Sequence, residues 1–90
     1  MLVALTARDK AGALNIRMEN RPKHVEYLKA SPAVRMAGPL LNDAGDMCGS
    51  LIILEVEDMA EAEAWAASDP YALAGLFESV SLDPWNKVIG

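Results

Sequence analysis

The spacing of apolar residues changes along the chain in an order that few folds accommodate. Residues 2–7, LVALTA, form a short apolar run bounded by Arg8, Asp9 and Lys10, which reads as a buried strand. Residues 11–30 switch to helical spacing. At 100° per residue Leu14, Met18, Val25 and Leu28 fall within about 40° of one direction, which predicts an apolar inner stripe. Ser31-Pro32 ends that helix. Residues 34–41 read as a second strand interrupted by Gly38-Pro39, and residues 49–56, GSLIILEV, as a third. The intervening Asn42-Asp43-Ala44-Gly45-Asp46 is turn chemistry and predicts a hairpin. Asp58-Met59-Ala60-Glu61 is a capping box opening a helix through Ala67, with Ala62, Trp65 and Ala66 inward. Asp69-Pro70 is a second helix start, with a short helical piece over 71–76. Residues 77–88 alternate at Val80, Leu82 and Trp85 and close the chain as a strand. Strand, helix, strand, strand, helix, strand is the split βαβ order of the ferredoxin-like α+β fold, an antiparallel sheet with helices on one face.

Ninety residues make one domain, 1–90, and bury little surface for their number. A single cysteine, Cys48, excludes an internal disulfide, and a single histidine excludes a His-rich metal site. Cys48 reads by default as a small half-buried residue. Support is therefore expected from association with a second copy, for which the 52% hydrophobic content leaves surface to spare. The net charge of −5 disfavours nucleic acid and anionic membranes as partners. The apolar run at the start is too short for a signal-peptide core or a membrane span, so a cytoplasmic location is expected.

Three stretches carry chemistry. The first, NRPKHVEYL at residues 20–28, holds the only histidine, two residues after Pro22. Arg17 and His24, seven apart, share a helix face at the edge of the apolar stripe. A fixed cation beside an imidazole suits a small anion-binding pocket at the helix–sheet seam. A hydrogen-bonded boundary histidine and a solvated arginine are the plain structural alternatives. Pro22 either kinks one helix or sits in the first turn of a second segment capped by Asn20, and redirects the segment carrying His24. The second stretch is Asp69-Pro70-Tyr71. Asp69 reads as a helix cap, or as the carboxylate that orients His24 in an acid–base pair. The third is Ala37-Gly38-Pro39, where free backbone groups can line a pocket. Ser50, after Gly49, is a candidate hydroxyl donor.

These segments together resemble the YciI family of YCII-related domain proteins. The resemblance runs through ARDK, RPKHVEYL, AGPLL, GSLIILE, AEAWAASDPYALAGLFESV and PWNKV, nearly the whole chain. It implies a single YCII-related domain of dimeric α/β-barrel type, a homodimer, and a site built on the histidine of the RPxH segment and an aspartate. Here those are His24 and Asp69, with Asp9 of ARDK as the competing aspartate. One member of the family is a dehydrochlorinase of a chlorinated hydroxyhydroquinone. The compact NDAGDMCGS loop departs from relatives with a longer insertion there, so the substrate does not carry over.

The function expected from this sequence is acid–base catalysis, lyase-like or isomerase-like, on a small acidic and aromatic or cyclic metabolite. It needs no metal or redox cofactor. His24 and Asp69 are the catalytic candidates; Arg17, Ser50, Gly38, Pro39 and Tyr71 are the substrate contacts. A non-catalytic ligand-binding or regulatory dimer is the alternative.

Overall fold

The computed structural model describes residues 1–90. The elements are β1 (Leu2–Asp9), α1 (Leu14–Ala30), β2 (Val34–Leu41), β3 (Met47–Glu55), α2 (Met59–Ser68), α3 (Pro70–Leu73) and β4 (Phe77–Trp85). The four strands form one antiparallel sheet in the order β2-β3-β1-β4. This is the ferredoxin-like arrangement the sequence predicts.

Strand alternation decides what reaches the helices. Along β1, Val3, Leu5 and Ala7 are buried, and in register on β3 they face Leu54, Ile52 and Ser50. Val3, Leu5, Ala7, Ile52, Leu54, Val56 and Ala62 form the core, with Leu28, Trp65 and Ala66 packed on it. Gly49 lies where β1 and β3 approach closely. A Cβ there would run into the Ala7 carbonyl oxygen. Pro39 pairs opposite Ser50 on β2, an edge strand with no neighbour on its other side to need the missing N–H.

Local chemistry explains most boundaries. Asn42 Oδ1 accepts from the Ala44 and Asp46 N–H groups, both at 3.0 Å, and shapes the β2–β3 hairpin. Asp58 caps α2 by accepting from Glu61 N–H at 2.9 Å, while Glu61 Oε2 accepts from Glu57 N–H at 2.8 Å. The two helices are tied by Tyr27 Oη, which donates to Trp65 O at 2.8 Å, and by Trp65 Nε1, which donates to Ser31 Oγ at 3.0 Å.

Four expectations are corrected. α1 starts at Leu14, not at residue 11, because Gly12 takes a left-handed φ of 70° that no helix continues. Its inner face is not the predicted apolar stripe: Leu14 and Met18 are exposed, and the buried residues are Arg17 and His24. The helix is rotated about 60° from the apolar prediction, because Arg17 and His24 have buried partners elsewhere in the chain. Of the two alternatives for Pro22 the Asn20-capped second segment is the one overturned: α1 is a single helix with Pro22 inside it, and Asn20 Nδ2 donates back to Ile16 O at 2.9 Å. Finally, β4 ends at Trp85 rather than residue 88, and Trp85 pairs with Leu2 on the face away from the helices. That open face also carries Met36, Leu51 and Ile53.

Candidate functional site

Asp9 continues the inward row of β1, one step beyond Ala7, and Ser50 lies opposite Ala7 on β3. Arg17 descends onto both. Its Nε and Nη2 donate to Asp9 Oδ2 and Oδ1 at 2.7 and 2.9 Å, and Nη2 also donates to Ser50 Oγ at 3.0 Å. The pair is buried, with Arg17 and Asp9 side chains 2% and 6% exposed. Burial works to lower the pKa of Arg17. The Asp9 carboxylate, through hydrogen bonds and charge, outweighs it and holds the guanidinium above its ordinary value.

Two turns along α1, His24 Nδ1–H donates to Asp69 Oδ1 at 2.8 Å. Asp69 sits at the junction of α2 and α3, and the same oxygen accepts the Tyr71 N–H at 2.9 Å. The helix cap and the hydrogen-bond partner of the imidazole are one carboxylate. Asp9, the alternative, belongs to Arg17 instead. The Asp69 bond places the imidazole proton on Nδ1 and leaves Nε2 as the nitrogen with a free lone pair.

Tyr71 welds the two pairs together. Its ring stacks on His24 with centroids 3.9 Å apart and planes 17° from parallel, and Arg17 Cζ lies 4.5 Å from its centroid. Phe77 meets it edge-on at 6.0 Å. Burial pushes the Tyr71 phenol above 10.0, against the pull of the Arg17 and Arg21 charges.

These groups floor a cleft of about 380 Å³ between α1 and the β2–β3 end of the sheet. Arg17, His24, Ser50, Gly38, Pro39 and Tyr71 all line it; Asp69 stands behind His24. Arg21 and Lys29 complete the α1 wall, with Ala37 and Met47 opposite. Sequence reasoning missed Arg21, although it lies on the row Arg17, Arg21, His24, Leu28, whose steps of four, three and four mark one helix face. Cys48 lies outside this cleft, half-buried, its thiol 3.6 Å from Leu40 O.

The fold and site define a small ferredoxin-like α+β protein with a buried His–Asp pair opening on a cleft. No helix is long and apolar enough to cross a membrane. The profile of the YCII-related domain matches residues 1–86, and the chain belongs to that family. It is 39% identical over 97 positions to protein YciI of Escherichia coli O6:H1, covering 98% of this chain and 99% of that one. It is 33% identical over 99 positions to an uncharacterized protein of Haemophilus influenzae, with 98% and 99% covered. Among solved structures it is similar to 5-chloro-2-hydroxyhydroquinone dehydrochlorinase of Burkholderia phenoliruptrix AC1100, in complex with 2,5-dihydroxybenzoquinone. That match has a TM-score of 0.88 at 33% identity, covering 96% of this chain and 94% of that one.

Proposed function

We propose that this protein is an acid–base enzyme, lyase-like or isomerase-like, acting as a homodimer on a small acidic ring compound without a metal or redox cofactor. The observation that carries the reading is the buried His24–Asp69 hydrogen bond at the wall of the cleft. Asp69 holds the imidazole in one tautomer and stabilises the imidazolium formed when Nε2 takes a proton. Arg17, whose Nη1 is taken by neither Asp9 nor Ser50, and Ser50, whose Oγ accepts from Arg17 and keeps its own proton to donate, offer donors to a substrate oxygen. Gly38, Pro39 and Tyr71 shape the slot. The likeness to a dehydrochlorinase supports elimination of HCl as the reaction type: His24 removes a proton from the substrate while chloride leaves. Such a step is redox-neutral.

The dimer reading rests on the open sheet face, where Met36 and Leu51 are 58% and 42% exposed on a chain of only 90 residues. A cytoplasmic setting, in which Cys48 stays a thiol, accords with this chemistry.

The test is chloride release from 5-chloro-2-hydroxyhydroquinone and from chlorinated hydroxybenzoates by wild type and His24→Ala. A positioned acid–base group contributes about 10²–10⁴-fold, so the variant should lose that much turnover. Equal rates in both would refute the assignment.

A further inference from the structure

The cleft is charged in a way the rest of the chain is not. The protein carries 13 acidic residues and a net charge of −5, yet no acidic residue lines the cleft. Arg17, at its floor, is neutralised by the bidentate Asp9 carboxylate. Arg21 and Lys29 are not neutralised. The ion pairs of the chain are Arg17–Asp9 and Arg35–Glu55, and neither Arg21 nor Lys29 belongs to one. Both are exposed at the mouth, Arg21 about one turn before His24 on α1 and Lys29 about a turn and a half after it. The acidic residues of that helix, Glu19 and Glu26, lie about 140–160° around its axis from Arg21, while Glu26 is one turn from Lys29 and makes no ion pair with it. The charge of Arg21 is also felt at the Tyr71 phenol inside the cleft.

We propose that Arg21, assisted by Lys29, is the docking site for a carboxylate on the ligand, so that the cleft selects ring compounds bearing an acid group over their neutral counterparts. The inference rests on the cleft being a ligand site, as in the function proposed above, and adds what sets its specificity. A mouth lined by one sign of charge focuses the field and draws in the opposite charge. A guanidinium one turn from His24 takes a carboxylate in a two-pronged bond and aims the remaining ring at Nε2. Arg21 is thus a specificity residue, distinct from Arg17, whose charge is already balanced by Asp9.

The experiment is calorimetric titration of 3-hydroxybenzoate and its neutral amide into wild type, Arg21→Gln, Arg21→Lys and Lys23→Gln. Lys23 is exposed on the same helix and absent from the cleft, so Lys23→Gln removes the same charge in the wrong place. A charge-assisted hydrogen bond at a partly exposed site is worth about tenfold in affinity. Wild type should therefore prefer the benzoate about tenfold. Arg21→Gln should abolish that preference by weakening the benzoate alone, Arg21→Lys should restore part of it, and Lys23→Gln should match wild type. Equal affinity of wild type for the two probes, no saturable benzoate binding, or equal effects of Arg21→Gln and Lys23→Gln would each overturn the proposal. His24→Ala separates the two claims. Intact turnover in His24→Ala with benzoate preference lost in Arg21→Gln removes the acid–base reading and keeps the rim; the converse removes the rim alone.

Discussion

His24 and Asp69, 45 positions apart in the chain, meet through a 2.8 Å hydrogen bond on an oxygen that also caps α3. Because Asn is as good a helix cap as Asp, Asp69→Asn should leave the folded state within about 1 kcal/mol of wild type. The neutral amide cannot stabilise an imidazolium as the carboxylate does, so turnover should fall by about 10²-fold or more. Paired denaturation and rate measurements check this; an Asn variant with full activity contradicts the orienting role.

The Arg17–Asp9 pair is buried on both sides. Removing one partner strands the other charge in the interior, at a cost of about 3–5 kcal/mol. Asp9→Asn should therefore lower stability by roughly that amount in urea unfolding. Replacing both, as in Arg17→Met with Asp9→Leu, should recover most of the loss while still impairing ligand binding.

Gly49 allows β1 and β3 to approach. Gly49→Ala drives a methyl into the Ala7 carbonyl, which backbone cannot avoid by changing rotamer. A loss of about 1–3 kcal/mol is expected, in the range for overpacked sites. A thermal midpoint unchanged from wild type contradicts the register.

Alkaline pH should destabilise the fold through its two tyrosines. Burial raises both Tyr71 and Tyr27 above 10.0, the latter aided by the Asp69 charge. A raised pKa means that the folded state favours the neutral phenol. Stability from this source is complete below about pH 10 and is lost as pH climbs through the native values, since the unfolded chain ionises first. Phenolate absorbance in the folded protein should lag that of the denatured chain, and Tyr71→Phe should reduce the alkaline loss. Coincident titration curves contradict it.

If two sheets pack through their open faces, Leu51→Glu places a charge in the interface without entering the core, since Leu51 is exposed in the single chain. Sedimentation should show wild type at twice the chain mass and the variant at one. Wild type at one chain mass removes the dimer.

The fold was legible because its signals are local. The Asn42–Asp46 turn, the Asp58 and Asp69 caps and the alternation of β1 and β3 each act within a few residues. The inner face of α1 was not. Its rotation is set by Asp9, Ser50 and Asp69, reached across 8, 33 and 45 positions, and these turn Arg17 and His24 inward at the expense of Leu14 and Met18. Periodicity ranks apolar residues and has no means of knowing that a buried cation will find its carboxylate. His24, Asp69 and Ser50 were found as residue types in telling contexts. Arg21 was not, because its place on the row of Arg17 and His24 carries meaning only once that row, and not the apolar stripe, is known to face the sheet.

The most direct measurement is a thermal-shift comparison of wild type and His24→Ala against small phenolic and carboxylic ring compounds near neutral pH. A ligand at 100 times its Kd stabilises the native state by about 2.7 kcal/mol, an easily read shift. The account predicts a compound that stabilises wild type and not His24→Ala. Shifts of equal size in both proteins would contradict it, since the ligand would then be bound away from the imidazole on which the site is built.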